Sequence, residues 1–347
     1  MNYTLLYIRD ISEAASTIPC RETLRGKKIF ITGANGLICS AIVDMLMTIN
    51  DEDHAGISIF IATRNMSKTI QRFGKRCERE DITLVNYDAT QPFHADIKPD
   101  YIIHGASAAD PKAIMEHPTA TIKSNIQGLS ILLDIATKQN SRLLYISSSE
   151  IYGIKEGGEP LSENDYGYID ILNPRSCYPS AKRTAETICV SYTKEYATDT
   201  VIVRPGHIYG PTMTDSDSRA SSQFPRDLIA GKDIVMKSEG LQQRSYCYVA
   251  DCASAILSVL IKGEKGEAYN ISNKNSIVSI RQMAEYFAQA AHKQVVFSTA
   301  SKSEKVSFNM MSNSSLTSSK IESLGWRALT DMPTGAEHTL NILRNSQ

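Results

Sequence analysis

The amino-acid sequence predicts an α/β fold, a doubly wound parallel sheet followed by a smaller C-terminal lobe. Short apolar runs of strand length alternate with helical segments between residues 28 and 204. Parallel strands are apolar along most of their length because helices cover both faces of the sheet. Beyond residue 204 the alternation gives way to a polar segment, TMTDSDSRASS at 212–222, and to shorter elements. The sequence therefore predicts one large sheet domain with a smaller lobe built onto it.

Six strands and three long helices are predicted in the first part of the chain, from apolar runs and from helical apolar spacing. The strands are expected at residues 28–32, 57–62, 82–85, 101–104, 142–147 and 201–203. The helices are expected at residues 37–49, 118–138 and 178–195. Crossover connections between parallel strands are right-handed, which places these helices on both faces of the sheet.

The chain after residue 204 predicts a mixture of short elements. Helices are expected at 224–230, 249–261 and 279–291, and strands at 245–248 and 269–271. Part of this region, about 245–272, is expected to return to the main sheet, whereas 205–244 and 273–347 form the lobe. The segment 299–319 is rich in Ser, Lys and Asn, and we expect it to run over the surface.

Composition and charge narrow the classes of function. The 347 residues are 42% hydrophobic and 22% charged, with a net charge of -1. This balance gives no electrostatic reason to expect nucleic acid or an anionic membrane as partner. No stretch approaches the roughly 18 apolar residues of a membrane span. Residues 1–25 carry Arg9, Asp10 and Glu13 near their apolar part, which predicts an amphipathic extension packed on the body rather than a signal peptide.

The seven cysteines are odd in number and form no C-x-x-C pair and no zinc-type spacing with histidines. Several of them lie in apolar runs. We therefore expect reduced, mostly buried thiols, a cytoplasmic protein and no metal site.

A glycine-rich turn follows the first predicted strand and opens the first long helix. Glycines at such a turn let backbone N–H groups approach a pyrophosphate, and the helix N-terminus favours its negative charge. The spacing is Gly-x-x-Gly-x-x-Cys, with the compact Cys39 at the third small position. A tight turn without a ligand would use the same glycines, but the strand–turn–helix context predicts dinucleotide binding and a Rossmann-type domain at 26–204. The predicted contacts are Gly33, Asn35, Gly36, Leu37 and Ile38.

The end of the second predicted strand bears on the choice of nicotinamide cofactor. An NAD site usually has an acid there for the ribose 2′-hydroxyl, and this chain has Thr63, Arg64 and Asn65 instead. Arg64 is placed to meet a 2′-phosphate, so NADP(H) is favoured. A solvated arginine in an enzyme that accepts NAD(H) is the alternative. Asp88, after the third strand, is expected either to accept a hydrogen bond from adenine or to cap a turn.

The helix predicted at 178–195 opens with Tyr178-Pro-Ser-Ala-Lys182, which puts Tyr178 and Lys182 on one helical face. A lysine ammonium lowers the pKa of a nearby phenol, so that the phenol can exchange a proton with a carbinol or ketone. Ser148 follows the fifth strand and offers a hydroxyl to the same oxygen. The order of glycine turn, serine and Tyr-x-x-x-Lys predicts a nicotinamide-dependent oxidoreductase.

With these motifs the chain resembles the extended short-chain dehydrogenases/reductases, the NAD-dependent epimerase/dehydratase family that acts on nucleotide sugars. The resemblance covers nearly everything from residue 26 onward. Its supporting stretches are TGANGLIC (32–39), HGAS (104–107), HPTATIKSNIQG (117–128), YISSSEIYG (145–153), YPSAKRTAE (178–186), RPGHIYGP (204–211) and RSYCYVAD (244–251).

The resemblance implies roles for individual residues. Ser148 and Tyr178 would bind the reacting oxygen, Lys182 would hold the nicotinamide ribose, and Arg244 would reach the pyrophosphate of a nucleotide sugar. Further implied cofactor contacts are Ala89, Ala106, Ser107, Pro205 and His207, and further implied substrate contacts are Ser149, Glu150, Arg175 and His207. The two long helices at 118–138 and 178–195 would form a homodimer through a four-helix bundle.

Two segments indicate which subclass of this family the chain resembles. The stretch NPRSCYPSAKR at 173–183 is similar to UDP-glucuronate decarboxylases, and Glu150 matches a glutamate used there and in sugar dehydratases. Thymidine-sugar 4,6-dehydratases carry an acid before that glutamate, where this chain has Ser149, which argues against proton transfer by an Asp–Glu pair. Glu150 is alternatively a hydrogen-bond acceptor that orients Ser148.

The sequence leaves two kinds of reaction open, a net reduction that consumes NADPH and a reaction that uses a bound NAD. Arg64 favours a net reductase that consumes NADPH, and the chain resembles reductases of dTDP-4-keto-6-deoxyglucose, which make sugars such as dTDP-fucose for surface polysaccharides, including the O-antigen of lipopolysaccharide. A UDP-glucuronate decarboxylase, epimerase or dehydratase with a bound NAD is the alternative. A dinucleotide sensor without turnover is disfavoured because Tyr178 and Lys182 are both present. His104 and His207 are expected at strand ends, as hydrogen-bonded histidines rather than ligands or acids.

Overall fold

A seven-stranded parallel sheet carries helices on both faces. The computed structural model describes residues 3–93, 97–107, 109–298 and 312–345. Its strands are β1 (Lys28–Thr32), β2 (Ser58–Thr63), β3 (Ile82–Asn86), β4 (Tyr101–His104), β5 (Arg142–Ile146), β6 (Thr200–Pro205), β7 (His207–Tyr209), β8 (Ile234–Met236), β9 (Gln243–Tyr248), β10 (Ala268–Ile271), β11 (Ile277–Ser279) and β12 (Val295–Phe297). The main sheet has the order β10-β6-β5-β4-β1-β2-β3, and all its neighbours are parallel. The predicted Rossmann-type sheet is confirmed.

The helices lie between these strands and beyond them. They are α1 (Leu5–Ala15), α2 (Leu37–Asp53), α3 (Met66–Phe73), α4 (Pro111–Glu116), α5 (Pro118–Gln139), α6 (Cys177–Tyr196), α7 (Ala220–Ile229), α8 (Val249–Lys262), α9 (Ile280–Ala290), α10 (Ser319–Glu322) and α11 (Met332–Arg344). Every predicted helix is present, although α7 begins four residues earlier than the sequence indicated. Besides α10 and α11, the short α3 and α4 were not predicted. Asn65 and Asp110 cap them through their side-chain oxygens.

The sheet order places a switch point between β1 and β4. From β1 the chain continues through β2 and β3 on one side, and it then crosses to β4 and continues through β5 and β6 on the other. Ligands of open parallel sheets bind at the carboxyl ends of the strands where the order reverses. Thr32 and His104, the last residues of β1 and β4, are paired there, with Thr32 Oγ1 and His104 Nδ1 2.8 Å apart.

Both faces of the sheet are packed against helices. Ile29 and Ile31 of β1 belong to a core shared with α2 and α8, whereas Phe30 points to the other face, where Leu129 and Leu132 of α5 lie. The alternating direction of strand side chains produces this division. The switch point is therefore held between two apolar layers.

The smaller lobe contains a three-stranded sheet with the order β11-β9-β7. The sequence predicted that the region from about 245 would return to the main sheet, and for β9 this is wrong. β9 pairs with β7 and β11, whereas β10 joins the main sheet beside β6, with α8 packed against the core. The sequence of β9, QRSYCY, mixes polar and aromatic residues and does not indicate which strand it pairs with.

The prediction that the segment 299–319 runs over the surface is wrong for its described part. Residues 299–311 of it lie outside the described residues. Leu316 is 1% exposed, and its neighbour Ser315 accepts a hydrogen bond from the Leu161 N–H at 2.8 Å. Backbone pairing with residues 161 and 243 holds a polar sequence inside the molecule.

The N-terminal extension forms α1, as its amphipathic pattern indicated. Tyr7 and Ile11 are buried against the body, while Leu5 is exposed. Within the described parts of the chain, no helix is both long and apolar enough to cross a bilayer.

Candidate active site

The glycine turn lies at the carboxyl end of β1, as the sequence predicted. Gly33 has a φ of 73°, and a Cβ there would lie 2.7 Å from the carbonyl carbon of Gly105, so a side chain is excluded. Gly36 precedes α2 in extended conformation, without a side-chain cap, which leaves N–H groups at the start of α2 for a ligand. Cys39 is buried against Gly105 and provides the close packing of a small residue.

The side chain of Asn35 connects this turn to the end of β2. Its Nδ2 donates to Thr63 Oγ1 at 3.1 Å, and Thr63 Oγ1 accepts from the Asn65 N–H at 3.1 Å. Among the described residues, the buried Asn35 Oδ1 has no partner. A buried acceptor without a partner, a backbone that tolerates no Cβ and an open helix N-terminus fit a dinucleotide.

Arg64 and Asp88 lie at the ends of β2 and β3. Arg64 is exposed. Asp88 Oδ1 accepts from the Thr90 N–H at 2.9 Å and from the Thr90 hydroxyl at 2.8 Å. These hydrogen bonds, with a smaller contribution from Arg64, lower the pKa of Asp88. The turn-capping alternative for Asp88 is therefore observed, and its contact with adenine stays a prediction.

Ser148, Tyr178 and Lys182 come together between β5 and α6. Tyr178 and Lys182 are 6% and 2% exposed, and the Lys182 Nζ lies 5.7 Å from the centre of the Tyr178 ring. Lys182 Nζ also donates to the Ile146 carbonyl at 2.8 Å, which fixes it beneath the end of β5. The Ser148 hydroxyl is near enough to Tyr178 to lower the pKa of its phenol. The structure thus places these three predicted residues in one cluster.

Burial dominates the electrostatics of this cluster. It raises the pKa of Tyr178 to about 12, together with the charge of Glu150, while Ser148, Arg219 and Arg175 act in the opposite direction. Burial lowers the pKa of Lys182 to about 7 because the charged form loses its water. A lysine with this pKa gains or loses its charge near neutrality as the polarity around it changes.

Glu150 lies next to this cluster and pairs with Arg175. Arg175 Nη2 donates to Glu150 Oε1 at 2.8 Å. Ser148 Oγ accepts from the Glu150 N–H at 3.2 Å, so the backbone of Glu150 also positions the serine. The predicted substrate contacts Glu150 and Arg175 are thus together beside Tyr178, and Ser149 opens the 3₁₀ turn between them and β5.

The two histidines are hydrogen-bonded side chains at strand ends. His207 Nε2 and Ser314 Oγ are 3.4 Å apart, and His104 is bonded to Thr32. Burial lowers the pKa of each to about 3, and positive side chains nearby add to this effect. Both are neutral at physiological pH, which agrees with the sequence-based preference against an acid role.

The remaining predicted contacts lie near the carboxyl ends of the main-sheet strands, apart from Arg244 in β9. Arg244, in β9, is 3% exposed, and its Nη1 donates to the Gln243 carbonyl at 2.7 Å. Ala106 N–H donates to Thr32 Oγ1 at 3.2 Å just after β4. The other predicted positions are Leu37 and Ile38 at the start of α2, Ala89 after β3, Ser107 after β4 and Pro205 at the end of β6. Their contacts with a ligand stay predictions.

Sequence reasoning missed Arg219, which precedes α7. Its guanidinium pairs with Asp217 through Nε and Nη2, the latter at 2.5 Å, and its charge lowers the pKa of both Tyr178 and His207. Its charge therefore acts on the Tyr178 phenol from the lobe. No spacing rule connects a residue in a polar loop with a tyrosine some forty positions earlier, so the sequence carried no signal for it.

Comparison with known proteins identifies the family. The profile of the family described as "NAD dependent epimerase/dehydratase family" matches residues 29–272. The chain belongs to this family. UDP-glucuronic acid decarboxylase 1 of Xenopus tropicalis is 31% identical over 260 residues, which are 74% of this chain and 59% of that protein. UDP-glucuronic acid decarboxylase 6 of Arabidopsis thaliana is 30% identical over 274 residues, 77% of each chain. The chain spans less than two thirds of the length of the Xenopus protein.

Solved structures show the same fold. The UDP-glucose 4-epimerase of Thermotoga maritima, determined with UDP-glucose, has a TM-score of 0.77 and 20% identity, covering 92% of this chain and 99% of that one. The UDP-glucuronic acid 4-epimerase of Bacillus cereus, in complex with UDP-glucuronic acid and NAD, has a TM-score of 0.78 and 19% identity, covering 92% and 100%. At these identities the likeness establishes the fold.

Proposed function

We propose that the protein is an NAD(P)-dependent oxidoreductase that acts at C4 of the sugar in a nucleotide sugar. The observation that carries this proposal is the cluster of Ser148 with the buried Tyr178 and Lys182 at the carboxyl end of the sheet, beside the glycine turn. Family membership supports it, since the relatives named above act on nucleotide sugars.

The chain's own residues perform the proton chemistry. Ser148 and Tyr178 bind the C4 oxygen, and the Tyr178 hydroxyl donates its proton to a ketone or takes one from a carbinol. The nicotinamide, when bound, supplies or accepts the hydride. Lys182 holds the ribose and, when charged, stabilises the tyrosinate. The buried position of Tyr178 excludes water from this transfer.

In its finer form, the proposal is net reduction of the C4 ketone of dTDP-4-keto-6-deoxyglucose by NADPH. The product would be a dTDP-6-deoxyhexose such as dTDP-fucose, made in the cytoplasm for surface polysaccharide such as O-antigen. The support is Arg64, which is exposed at the end of β2 where an NAD site would have an acid.

Decarboxylation of UDP-glucuronate is the second candidate. Two observations favour it: the relatives are UDP-glucuronic acid decarboxylases, and the guanidinium charge of Arg219 acts on Tyr178. Guanidinium groups bind carboxylates well, and glucuronate carries one.

An assay with two arms distinguishes the candidates. One arm mixes the protein with NADPH and dTDP-4-keto-6-deoxyglucose and follows NADPH absorbance. The other supplies UDP-glucuronate with NAD and measures carbon dioxide and a UDP-pentose. Turnover confined to the second arm would replace reduction by decarboxylation, and no turnover in either arm would contradict the proposed function.

The cofactor preference is tested with Arg64→Ala. If Arg64 binds the 2′-phosphate, the substitution raises the KM for NADPH about tenfold or more and leaves that for NADH nearly unchanged. Lys138→Ala, at the far end of α5, is the matched control. An equal change in the KM for NADPH and for NADH would show that Arg64 does not bind the 2′-phosphate.

We also propose a homodimer through α5 and α6. These helices pack on one another, and they leave Ile122, Val190 and Tyr196 between 40% and 52% exposed. Two such helix pairs would form a four-helix bundle that covers these side chains.

A further inference from the structure

An ion pair beside the reacting phenol joins the two segments that carry the catalytic side chains. Glu150 lies in the turn after β5, two residues beyond Ser148, and Arg175 lies three residues before Tyr178. Their side chains are 36% and 33% exposed, and the bond between Arg175 Nη2 and Glu150 Oε1 is 2.8 Å. The pair therefore connects the end of β5 with the entry of α6.

Both ends of this pair are fixed by local hydrogen bonds. Asn173 Oδ1 accepts from the Arg175 N–H at 3.0 Å, and Pro174 opens the 3₁₀ turn that leads into α6. On the other side, Ser148 Oγ accepts from the Glu150 N–H. Fixed backbones lower the entropy lost when two long side chains pair, so this contact is more persistent than a free surface ion pair.

The charges that face Tyr178 come from three directions. The turn after β5 contributes Glu150, the α6 segment contributes Arg175 and Lys182, and the loop before α7 contributes Arg219, itself paired with Asp217. The short α4 packs there with the apolar side chain of Ile114. The negative charge of Glu150 opposes formation of a tyrosinate, and Arg175 offsets that effect.

We propose that Arg175 is a positioning residue that acts on Tyr178 through Glu150, by holding the carboxylate in place and compensating its charge. The inference rests on the proposed function, because it concerns the proton that Tyr178 exchanges with the sugar. In the oxidative direction the C4 hydroxyl gives its proton to the Tyr178 oxygen while the C4 hydride goes to the nicotinamide. Neither Arg175 nor Glu150 gains or loses a proton in this step.

The pH profile of sugar oxidation tests this role. Oxidation needs the tyrosinate, so kcat rises with pH along a limb set by the pKa of Tyr178. In Arg175→Gln the charge of Glu150 is uncompensated, and we expect the limb to move to higher pH by about half a unit or more, with KM nearly unchanged. This corresponds to a loss of kcat of about threefold on the limb.

Companion variants show whether the effect passes through Glu150. Arg175→Lys keeps the charge and is expected to restore the limb to within a few tenths of a unit. The double variant with Glu150→Gln removes both charges and is expected to return the limb toward the wild-type position. Lys155→Gln, which breaks an ion pair with Asp165 elsewhere on the surface, is the matched control and leaves the limb unmoved.

Three outcomes would overturn the inference. A raised KM with an unmoved limb would make Arg175 a substrate ligand instead. A kcat lowered equally at every pH, whether or not Glu150 is replaced, would leave it a purely structural contact. If the wild-type protein shows no turnover in either assay arm, both the proposed function and this inference fail. If the wild type is active and the variants have the same pH limb as the wild type, only this inference fails.

Discussion

Tyr178 is the residue on which the proposed chemistry depends most directly. It is 6% exposed and lies close to Ser148 and Lys182. Tyr178→Phe removes the exchangeable proton and leaves the ring, so we expect turnover to fall by about 10²- to 10⁴-fold with cofactor affinity retained. The measurement is kcat in the active assay arm, beside a titration of cofactor binding.

Tyr196→Phe is the control for this substitution, because Tyr196 lies on the same helix but is 52% exposed. It removes the same hydroxyl and is expected to keep full turnover. Full turnover in Tyr178→Phe itself would refute the catalytic role.

At the scale of elements, the N-terminal helix is anchored by one buried carboxylate. Asp44 of α2 is 3% exposed, and it accepts hydrogen bonds from the hydroxyls of Tyr3 and Tyr7, each at 2.6 Å. Arg72 of α3 pairs with it at 2.5 Å. The Asp44 side chain therefore connects the N-terminal extension with α2 and α3. The N-terminus of α2 forms part of the predicted phosphate site.

Asp44→Ala leaves Arg72 without its partner in a largely buried place. Removal of one member of a buried pair is costly, and we expect the free energy of unfolding to fall by about 3 kcal/mol or more. Denaturant titration measures it. Asp51→Ala breaks the exposed pair with Arg79 and is expected to lower the free energy of unfolding much less. Equal decreases in the two variants would show that the Asp44 cluster stabilises the protein no more than an exposed ion pair does.

A second contact ties α1 to the C-terminal helix. Asp10 Oδ2 lies 3.0 Å from His338 Nδ1 of α11 and accepts from the Tyr248 hydroxyl at 2.9 Å. The hydrogen bond to Asp10 raises the pKa of His338 above its ordinary value. A raised pKa means that the folded protein holds this proton more tightly than the unfolded chain does.

The stabilisation that protonated His338 contributes is therefore fully present below the ordinary histidine pKa. It is lost as the pH rises through the raised pKa of His338 in the folded protein. We expect the stability advantage of the wild type over His338→Gln to decrease from pH 6 to pH 8. The buried His104, His207 and Lys182, whose pKa values are lowered, make the free energy of unfolding rise with pH equally in both proteins. Asp251, whose pKa burial raises to about 6, contributes a decrease in the same direction to both proteins and cancels in the comparison. Parallel pH dependences would rule out this contribution of His338.

At the scale of the whole molecule, the exposed apolar side chains of α5 and α6 predict association. Light scattering after gel filtration should give twice the monomer mass for the wild type and the monomer mass for Val190→Asp. Ile70→Asp, a matched change on α3 at a side chain 53% exposed, should stay dimeric. A monomeric wild type would contradict the four-helix bundle.

The order of the main elements was predictable from the sequence. Apolar strand runs and helical periods depend on local side-chain pattern, and the glycine turn and Tyr178–Lys182 spacing depend on a few adjacent residues. This is why the six strands predicted before residue 204 lie where expected and why Tyr178 and Lys182 share one helix. The pairing of β9 and the buried position of Leu316 depend instead on which distant backbone offers free hydrogen bonds, which no local pattern records.

The sequence by itself determined the doubly wound fold, the family and the identity of the Ser148–Tyr178–Lys182 set. Only the tertiary structure decided which charges face Tyr178. The Glu150–Arg175 pair spans 25 positions and Arg219 lies still farther along the chain, so their convergence arises from how β5, α6 and the lobe pack together. Electrostatic interactions act through space and depend on burial, and neither quantity is readable along the chain.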